Sequence, residues 1–178
     1  MKKAIIFLTD GFEEMEAMVP ADILRRANVE VNLASITGSR EVTGSHGIKV
    51  IADSVFEGGA AADMLVLPGG PGAAKYIENR ALIESLTSQN EKGGFIAAIC
   101  AAPVTLGKLG LLKDKAAVCY PAMEGQLDAA VKSKEAVVTD GNITTARAAG
   151  ASAEFGLKLV EVLAGAEEAK KVKSAMYI

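Results

Sequence analysis

The sequence predicts a single α/β domain, built on a doubly wound and mostly parallel sheet that helices cover on both faces. Short, continuously apolar segments such as residues 4–9 and 64–67 alternate along the chain with segments of helical spacing. Apolar strands between amphipathic helices are typical of parallel sheets that are buried on both sides. The 178 residues contain no internal repeat, low-complexity stretch or linker, so we expect residues 1–178 to form one domain.

The first half of the chain is predicted to supply three strands, a hairpin and two helices. The strands are short apolar runs: residues 4–9, 29–34 and 64–67. Helices are predicted over 13–26 and 77–90, and Pro20 inside the first predicts a kink or two abutting turns. Two glycines interrupt residues 41–52, which predicts an irregular hairpin at the edge of the sheet.

The second half continues the alternation of strands and helices. Four short apolar runs predict strands: residues 95–100, 116–120, 136–139 and 143–146. Helices are predicted over 101–109, where Pro103 falls in the first turn and is tolerated, and over 152–163 and 167–176.

The charge and the apolar pattern argue against several classes of partner. The formal net charge is −3 and the pI is about 5.3, which disfavours nucleic acids and anionic membrane surfaces. The longest apolar run, residues 95–106, is too short to span a membrane, and the apolar stretch after Lys2 and Lys3 is too short for a signal peptide. We therefore expect a cytoplasmic protein in which Cys100 and Cys119 are free thiols.

Polar and glycine-rich segments follow four of the predicted strands. They are residues 10–16, 68–72, 100–102 and 119–121. Because ligand sites in doubly wound sheets form outside the carboxyl ends of the strands, we expect these four segments to converge. The sequence therefore predicts a functional site at that edge of the sheet.

Cys100 is the residue around which the predicted site is organised. It ends a predicted buried strand and directly precedes a predicted helix. Unpaired N–H groups and the dipole at a helix N-terminus lower the pKa of a thiol and favour the nucleophilic thiolate. The alternative is an ordinary small core residue, since free cysteine is among the most buried residue types. Its place at the strand end favours the reactive thiolate.

Backbone N–H groups near Cys100 are candidates for an oxyanion hole. Gly69 and Gly70 end a neighbouring predicted strand, and Ala101 follows the cysteine. Their N–H groups would stabilise the charge of a tetrahedral adduct on the sulfur. The alternative is a glycine turn that sterics alone require. The segment lacks the Lys-Ser/Thr ending of a phosphate-binding loop.

Three carboxylates open the first predicted helix: Glu13, Glu14 and Glu16. All three complement the helix dipole, and we expect no other role for Glu13 and Glu14. Glu16 lies one turn further in and is expected to point across the strand ends toward Cys100. An apolar environment raises the pKa of a carboxyl, so Glu16 would keep its proton and share it with the thiolate as a coupled pair.

Three motifs in this order resemble those of the DJ-1/ThiJ/PfpI superfamily, and the similarity runs through essentially the whole chain. They are Gly11-Phe12-Glu13-Glu14-Met15-Glu16, Leu67-Pro68-Gly69-Gly70 and Ala97-Ala98-Ile99-Cys100-Ala101-Ala102-Pro103. Arg147 and the stretch 150–156, which opens a late helix, belong to the same resemblance. The branch that the chain resembles is the parkinsonism-associated one, with its bacterial relatives.

The resemblance implies a flavodoxin-like sandwich that needs no cofactor and is usually a homodimer. It implies that Cys100 is the reactive cysteine, held in a strained nucleophile-elbow turn. Glu16 matches the protonated carboxylic acid that touches the sulfur, and Gly70 and Ala101 match the oxyanion positions.

The resemblance also points to groups near the pocket mouth. Arg26 and His46 fall at such positions, although arginine is common where His46 stands. Some members carry histidine, proposed as a second acid or base, in place of Tyr120. A tyrosine with an ordinary pKa of about 10 donates a hydrogen bond but does not shuttle protons at neutral pH. Glu16 is then the only well-placed proton shuttle.

Two residues keep alternative interpretations. For His46, the only histidine, we expect a structural or surface role, with a pocket-rim or dimer contact as the alternative. Cys119 is predicted to be a core residue, with a role as resolving partner of Cys100 as the alternative.

Two functions remain open. The first is a cofactor-independent enzyme acting on small reactive carbonyls or on glycated thiols and amines, with Cys100 as nucleophile and Glu16 as proton shuttle. The second is a redox sensor or stress chaperone that acts through oxidation of Cys100. A catalyst turns over many carbonyls per chain, whereas a sensor is modified once.

Other classes of site receive less support. The peptidase branch of the superfamily has histidine directly after the nucleophile, where this chain has Ala101, so peptide hydrolysis is disfavoured. One histidine and two cysteines offer few metal ligands, so no metal is expected. A flavin or nucleotide role rests on analogy between folds alone.

Overall fold

Eleven strands and five α-helices alternate along the chain in the computed structural model, which describes residues 1–59 and 61–178. The strands are β1 (Lys3–Leu8), β2 (Glu30–Ser35), β3 (Glu41–Thr43), β4 (Lys49–Ile51), β5 (Ser54–Val55), β6 (Met64–Leu67), β7 (Phe95–Ile99), β8 (Ala116–Ala117), β9 (Val131–Lys132), β10 (Val137–Asp140) and β11 (Ile143–Ala146). The α-helices are α1 (Glu14–Arg26), α2 (Arg80–Glu91), α3 (Pro103–Lys108), α4 (Ser152–Ala164) and α5 (Ala166–Met176). Three 3₁₀ segments lie at Pro71–Glu78, Pro121–Gln126 and Ala149–Ala151.

Seven of the strands form the central sheet, in the order β10-β11-β7-β6-β1-β2-β5. All neighbouring strands in it pair in parallel except β10 and β11, which are antiparallel. The other strands form two small sheets, β3 with β4 and β8 with β9. The molecule is therefore a single doubly wound domain of flavodoxin-like type, which confirms the predicted fold class.

Helices cover both faces of the sheet, and each face has its own core. Ile6 and Leu8 of β1 pack on one side with α1, α4 and α5, whereas Phe7 between them packs on the other side with α2 and α3. This alternation is what a strand with period two produces when both of its faces are buried. Among the described residues, no helix combines the length and the apolar composition needed to cross a bilayer.

Helix α1 continues through Pro20 as one helix, so the alternative of two abutting turns is wrong, whereas the kink stays a prediction. The ring removes one backbone bond, to the carbonyl of Glu16, but the tertiary packing keeps the helix in one piece. Pro20 is buried against α4, where a Cβ added at Gly156 would lie 3.2 Å from Pro20 Cα and 2.8 Å from Ile23 Cδ1. A glycine in α4 therefore permits the close approach that stabilises α1 around its proline.

Several element boundaries differ from the prediction for local reasons. Residues 77–78 end a 3₁₀ segment, and α2 begins only after Asn79, whose side chain accepts a hydrogen bond from Leu82 N at 2.9 Å. Residues 101–102 form a turn before α3. Of residues 116–120, only the first two are a strand. The predicted hairpin forms β3 and β4 as a sheet of its own, and β5 takes the edge position beside β2.

Candidate active site

The four segments that follow the strands converge at the carboxyl edge of the sheet, as predicted. Cys100 directly follows β7, and its backbone O accepts a hydrogen bond from Tyr120 N at 2.8 Å. Gly69 follows β6, and its backbone O accepts from Glu13 N at 3.0 Å. One backbone bond therefore joins residue 120 to Cys100 after β7, and another joins Gly69 after β6 to the start of α1.

Cys100 adopts a strained backbone conformation in the turn between β7 and α3. Its φ is 63°, in the left-handed region that costs a residue with a side chain roughly 1–2 kcal/mol. Both of its backbone groups are bonded: the N donates to Ala146 O at 2.9 Å and the O accepts from Tyr120. These bonds hold the residue in a conformation that turns its side chain out of the sheet, the geometry that the resemblance implied.

Gly69 is the point at which Glu16 and Cys100 meet. A Cβ added there would lie 2.6 Å from Glu16 Oε2 and 2.7 Å from Cys100 Cβ, both closer than real Cβ contacts. Gly70 has a φ of 88°, and a Cβ there would lie 2.5 Å from Gly11 O. Sterics therefore require both glycines, and the same close approach brings the carboxyl beside the thiol.

Glu16 is a buried carboxyl with few hydrogen-bond donors. Its side chain is fully shielded from solvent, and its Oε2 accepts a hydrogen bond from Gly69 N at 2.8 Å. Its Oε1 has no hydrogen-bond partner in the described part of the chain. Burial raises the pKa of Glu16 to about 7, and hydrogen bonding to Cys100 and Gly69 offsets only part of that effect. The carboxyl therefore has the raised pKa that the sequence predicted.

The pKa of the Cys100 thiol is raised, to about 12, rather than lowered as predicted. Burial is the largest cause, followed by the negative charge of an ionised Glu16. The N–H groups of Gly70 and Ala101 act in the opposite direction. Helix α3 begins only at Pro103, so the helix N-terminus invoked from the sequence lies beyond the cysteine. Their contact lowers the pKa of Glu16 and raises that of Cys100, so the two groups titrate as one pair, although Glu16 Oε1 has no well-formed hydrogen bond within the described residues.

A cavity of about 490 Å³ opens next to the sulfur. Its walls are mostly apolar, and its lining residues are Gly70, Pro71, Ala73, Ala74, Ile77, Cys100, Ala101, Val104, Thr105, Lys108, Tyr120, Met123 and Gln126. Glu16 is fully buried and is absent from this lining. A ligand in the cavity therefore meets the sulfur and the N–H groups of Gly70 and Ala101, with the carboxyl behind them.

Four residues were predicted to bind a ligand, and the structure brings only part of this set to the cavity. Tyr120 lines it with a half-exposed side chain. Gly69 lies below its floor and is buried. Arg26 lies at the C-terminal end of α1, where its Nε donates to Asp22 at 2.7 Å, outside the cavity lining. His46 is also outside that lining.

Glu14 has a structural role that the sequence analysis missed. It is buried, and its Oε1 accepts a hydrogen bond from His46 N at 2.7 Å. Its Oε2 accepts from Ser45 Oγ at 3.1 Å and lies 2.8 Å from His46 Nδ1. Glu14 therefore ties the hairpin of β3 and β4 to the start of α1, across 32 positions of sequence that no local pattern connects.

The contacts of Glu14 also set its charge and that of His46. Burial acts to raise the pKa of Glu14, but the hydrogen bonds from His46 and Ser45 together outweigh it and lower the pKa to about 2. The hydrogen bond to Glu14 in turn raises the pKa of His46. Ligand atoms of Glu13, Glu14 and His46 lie within 4.8 Å of one another, a grouping that a count of histidines and cysteines overlooks. Nδ1 and Oε2 lie 2.8 Å apart, the distance of a hydrogen bond.

Cys119 is buried, as predicted, and both cysteines are free. Its Sγ lies 3.4 Å from Tyr120 O. Burial and the charge of Glu124 raise the pKa of its thiol to about 11, so it stays neutral. These are the properties of a core cysteine.

Comparisons with known proteins agree with the motifs. The family model described as the DJ-1/PfpI family matches residues 2–162. Protein dj-1beta of Drosophila melanogaster is 38% identical over 182 residues, which cover 99% of this chain and 97% of that protein. Glutathione-independent glyoxalase DJR-1.2 of Caenorhabditis elegans is 30% identical over 171 residues, which cover 94% of this chain and 91% of that protein.

Solved structures give the same result for the fold. A structure of oxidized DJ-1 from Toxoplasma gondii has a TM-score of 0.94 and 35% identity. A structure of DJ-1beta from Drosophila melanogaster has a TM-score of 0.94 and 37% identity. Each comparison covers 99% of this chain and 98% of the other. The motifs, the sheet order and these likenesses lead to one conclusion: the chain belongs to the DJ-1/PfpI family.

Proposed function

We propose that this protein is a cofactor-independent enzyme that converts small 2-oxoaldehydes such as methylglyoxal into 2-hydroxy acids, with Cys100 as the nucleophile. The observation that carries the proposal is the position of Cys100, between an open cavity and the fully buried carboxyl of Glu16. The Caenorhabditis elegans relative named as a glutathione-independent glyoxalase supports this class of reaction. Glycated thiols and amines are the related substrates from which the same site would release the carbonyl.

The pair of Glu16 and Cys100 supplies both a nucleophile and an acid. The carboxyl has a pKa of about 7, so the pair loses its first proton near neutral pH. The N–H groups of Gly70 and Ala101 stabilise a thiolate, whereas Glu16 Oε1 has no N–H donor to stabilise a carboxylate. The two pKa values by themselves place the first negative charge on Glu16, whose Oε2 accepts from Gly69 N. We propose instead that the charge lies on the sulfur, beside the N–H groups of Gly70 and Ala101, and that the remaining proton lies on Oε1, which has no donor among the described residues.

The reaction begins with attack of the thiolate on the aldehyde carbon. A C–S bond forms, and the carbonyl oxygen becomes an oxyanion that the N–H groups of Gly70 and Ala101 stabilise. Glu16 then donates its proton to that oxygen, which gives a neutral hemithioacetal and a carboxylate. Because the substrate is now bonded to the sulfur, the carboxyl reaches it without lining the cavity.

Glu16 next moves a proton between the two oxygenated carbons. As carboxylate it takes the proton of the former aldehyde carbon and passes it to the neighbouring carbonyl oxygen, which gives an enediol. It then carries the proton of the first hydroxyl to the second carbon, and the product is a thioester of Cys100. Water hydrolyses the thioester to the 2-hydroxy acid and the thiol. One aldehyde and one water become one hydroxy acid, so no oxidant is consumed.

The test is lactate production from methylglyoxal without glutathione, by the wild type beside Cys100→Ala. Turnover well beyond one per chain by the wild type, with none by the variant, is the expected result. Circular dichroism checks that the variant keeps its fold. Single-turnover trapping of the aldehyde, without lactate, would overturn the enzymatic proposal.

A second candidate function is sensing of oxidants through Cys100. The sulfur is accessible from the cavity, and the structurally similar DJ-1 of Toxoplasma gondii is described as oxidized. A protonated Glu16 would donate a charge-assisted hydrogen bond to a sulfinate at Cys100. Mass spectrometry after peroxide treatment tests this function: stoichiometric sulfinate in the wild type and slower formation in Glu16→Gln support it. Oxidation at other residues in preference to Cys100 contradicts it.

We also propose that the protein forms a homodimer. Apolar side chains are exposed on α1 and on the hairpin of β3 and β4: Met15, Ile48 and Ile51. Apolar side chains left exposed on two elements that Glu14 joins support an association surface there. Light scattering with size-exclusion chromatography tests the assembly, and a mass of 18.4 kDa at micromolar concentration would contradict it.

A further inference from the structure

The cavity beside Cys100 is much larger than a three-carbon aldehyde. Its volume of about 490 Å³ lies within the roughly 300–1,000 Å³ of cavities that enclose drug-sized ligands. Methylglyoxal bonded to the sulfur would leave most of this space to water. The shape therefore accommodates a substrate with a substantial group attached to its carbonyl.

The walls of the cavity identify the chemistry of that group. Ile77, Val104 and Met123 line it, from the first 3₁₀ segment, α3 and the second 3₁₀ segment respectively. Ala73 and Ala74 add short apolar side chains to the same lining. An apolar group packed on these side chains would bury apolar surface. The lining also includes four polar residues: Thr105, Lys108, Tyr120 and Gln126.

The described lining of this cavity also includes one cation. Lys108 lines the cavity and is exposed, and within the described residues it forms no ion pair. It lies on the same face of α3 as Val104, one turn further on. The rise along α3 from Val104 to Lys108 is about 6 Å. An anionic group at the outer end of the substrate would reach its ammonium.

We propose that the preferred substrate is a 2-oxoaldehyde that carries an apolar group ending in a carboxylate, with Ile77 and Met123 contacting the apolar group and Lys108 the anion. The inference rests on the proposed function, because it places the aldehyde carbon on Cys100. It assigns specificity to residues that take no part in the proton transfers. Methylglyoxal, which has neither the apolar group nor the carboxylate, is then a poor substrate.

Three probes separate the parts of this substrate: methylglyoxal, phenylglyoxal and 4-carboxyphenylglyoxal. A ring of about the size of a phenylalanine side chain gains about 1.5–3 kcal/mol on burial, so kcat/KM for phenylglyoxal should exceed that for methylglyoxal roughly 10- to 100-fold. The carboxylate should add about two- to fivefold, the range of an exposed ion pair, and that increment should disappear at high salt.

Two variants test the residues themselves. Ala74→Phe fills the cavity from an exposed position and should lower the phenylglyoxal-to-methylglyoxal ratio of kcat/KM about tenfold or more. Lys108→Gln should bring the ratio of carboxylated to plain phenylglyoxal to about one. Ala166→Phe, at an exposed position in α5, is the matched control and should keep the wild-type ratios.

The outcomes distinguish this inference from the proposed function. If methylglyoxal is turned over but the three probes show no preference, or the variants leave the ratios unchanged, the substrate inference is overturned. If no probe is turned over, the proposed function fails. In that case, protection of Cys100 against iodoacetamide by the three probes decides the inference: protection in the order proposed supports it, and equal protection overturns it.

Discussion

Glu14 and Glu16 lie two residues apart at the start of α1, both are buried, and their carboxyls are perturbed in opposite directions. The pKa of Glu14 is lowered to about 2 and that of Glu16 is raised to about 7. The helix dipole acts on both carboxyls, so it does not account for the difference. The cause is the number of donors that the rest of the fold brings to each side chain.

Glu14 receives its donors from a distant hairpin. The backbone N of His46, its ring and the hydroxyl of Ser45 all bond to the carboxylate, and their sum outweighs the effect of burial. Glu16 faces the sulfur of Cys100 and has one backbone donor, Gly69, so burial prevails. The number of hydrogen-bond donors therefore keeps Glu14 ionised at neutral pH and lets Glu16 act as an acid there.

The largest expected effect is the loss of turnover in Glu16→Gln. General acid–base catalysis contributes about 10²–10⁴-fold, so kcat for methylglyoxal should fall by at least about a hundredfold. Glu14→Gln is the matched control, because it makes the same chemical change two residues away, and it should leave kcat little changed. Similar losses in both variants would show that the two carboxyls do not differ in function.

The second effect is on the labelling rate of Cys100 by iodoacetamide. In the wild type, labelling should rise through the first titration of the pair, near pH 7. Glu16→Gln removes the acid that donates to the thiolate, so labelling at pH 7.5 should be roughly tenfold slower and rise only at higher pH.

The opposite sign would contradict the proposed proton position. If the first proton lost belongs to Glu16, its charge suppresses the thiolate, and removing that charge would accelerate labelling at pH 7.5. Cys119→Ser serves as the background for all of these measurements, since its thiol is buried and neutral.

The third effect concerns stability in acid. The folded pKa of Glu14 lies below its unfolded value, so its contribution is complete above pH 4.5 and is lost as pH falls toward 2. Glu14→Gln should lower the free energy of unfolding at pH 7 by about 1–2 kcal/mol and remove this slope. Glu16 has the opposite linkage: its pKa is raised, so its stabilising effect is present below pH 4.5 and declines through pH 7.

Urea unfolding between pH 2.5 and 8 measures both slopes. Glu16→Gln should flatten the curve between about pH 4.5 and 7, where Glu14→Gln should not. Identical curves for the two variants would mean that the carboxyls do not differ in environment.

The smallest expected effect is a change in the pKa of His46. Its hydrogen bond with Glu14 raises its pKa above the ordinary 6.5, and Glu14→Gln should return it to that value. Because His46 is the only histidine, its ring proton is directly resolved by NMR. The pair stabilises the fold below pH 6.5, and this effect is lost as pH rises through the raised pKa. A pKa of 6.5 or less in the wild type would contradict the contact.

The alternation of elements and the position of the site were both predictable. Buried strands followed by glycine, cysteine or carboxylate placed Gly70, Cys100 and Glu16 at one edge, because parallel strands carry their ends to the same side of a sheet. Their contacts with one another through Gly69 confirm that placement.

Other features depend on contacts between distant segments and had no local signal. Pro20 alone predicts a kink or two abutting turns, and only the glycine of α4 against it explains a continuous helix. The acidic residues of α1 looked alike, and the role of Glu14 appears only when His46 is placed beside it. Arg26 matched a family position, yet in this fold it pairs with Asp22 outside the cavity.

The sequence by itself determined the order of strands and helices, the edge of the sheet where chemistry concentrates and the residues that meet there. The spacing of apolar residues and the rule that sites form at the carboxyl ends of parallel strands do not depend on how individual side chains pack. Only the tertiary structure decided the pKa shifts, the size of the cavity and the partners of Glu14 and Arg26. A pKa depends on burial and on nearby donors, and a volume depends on which side chains face it, so neither exists before the chain is folded.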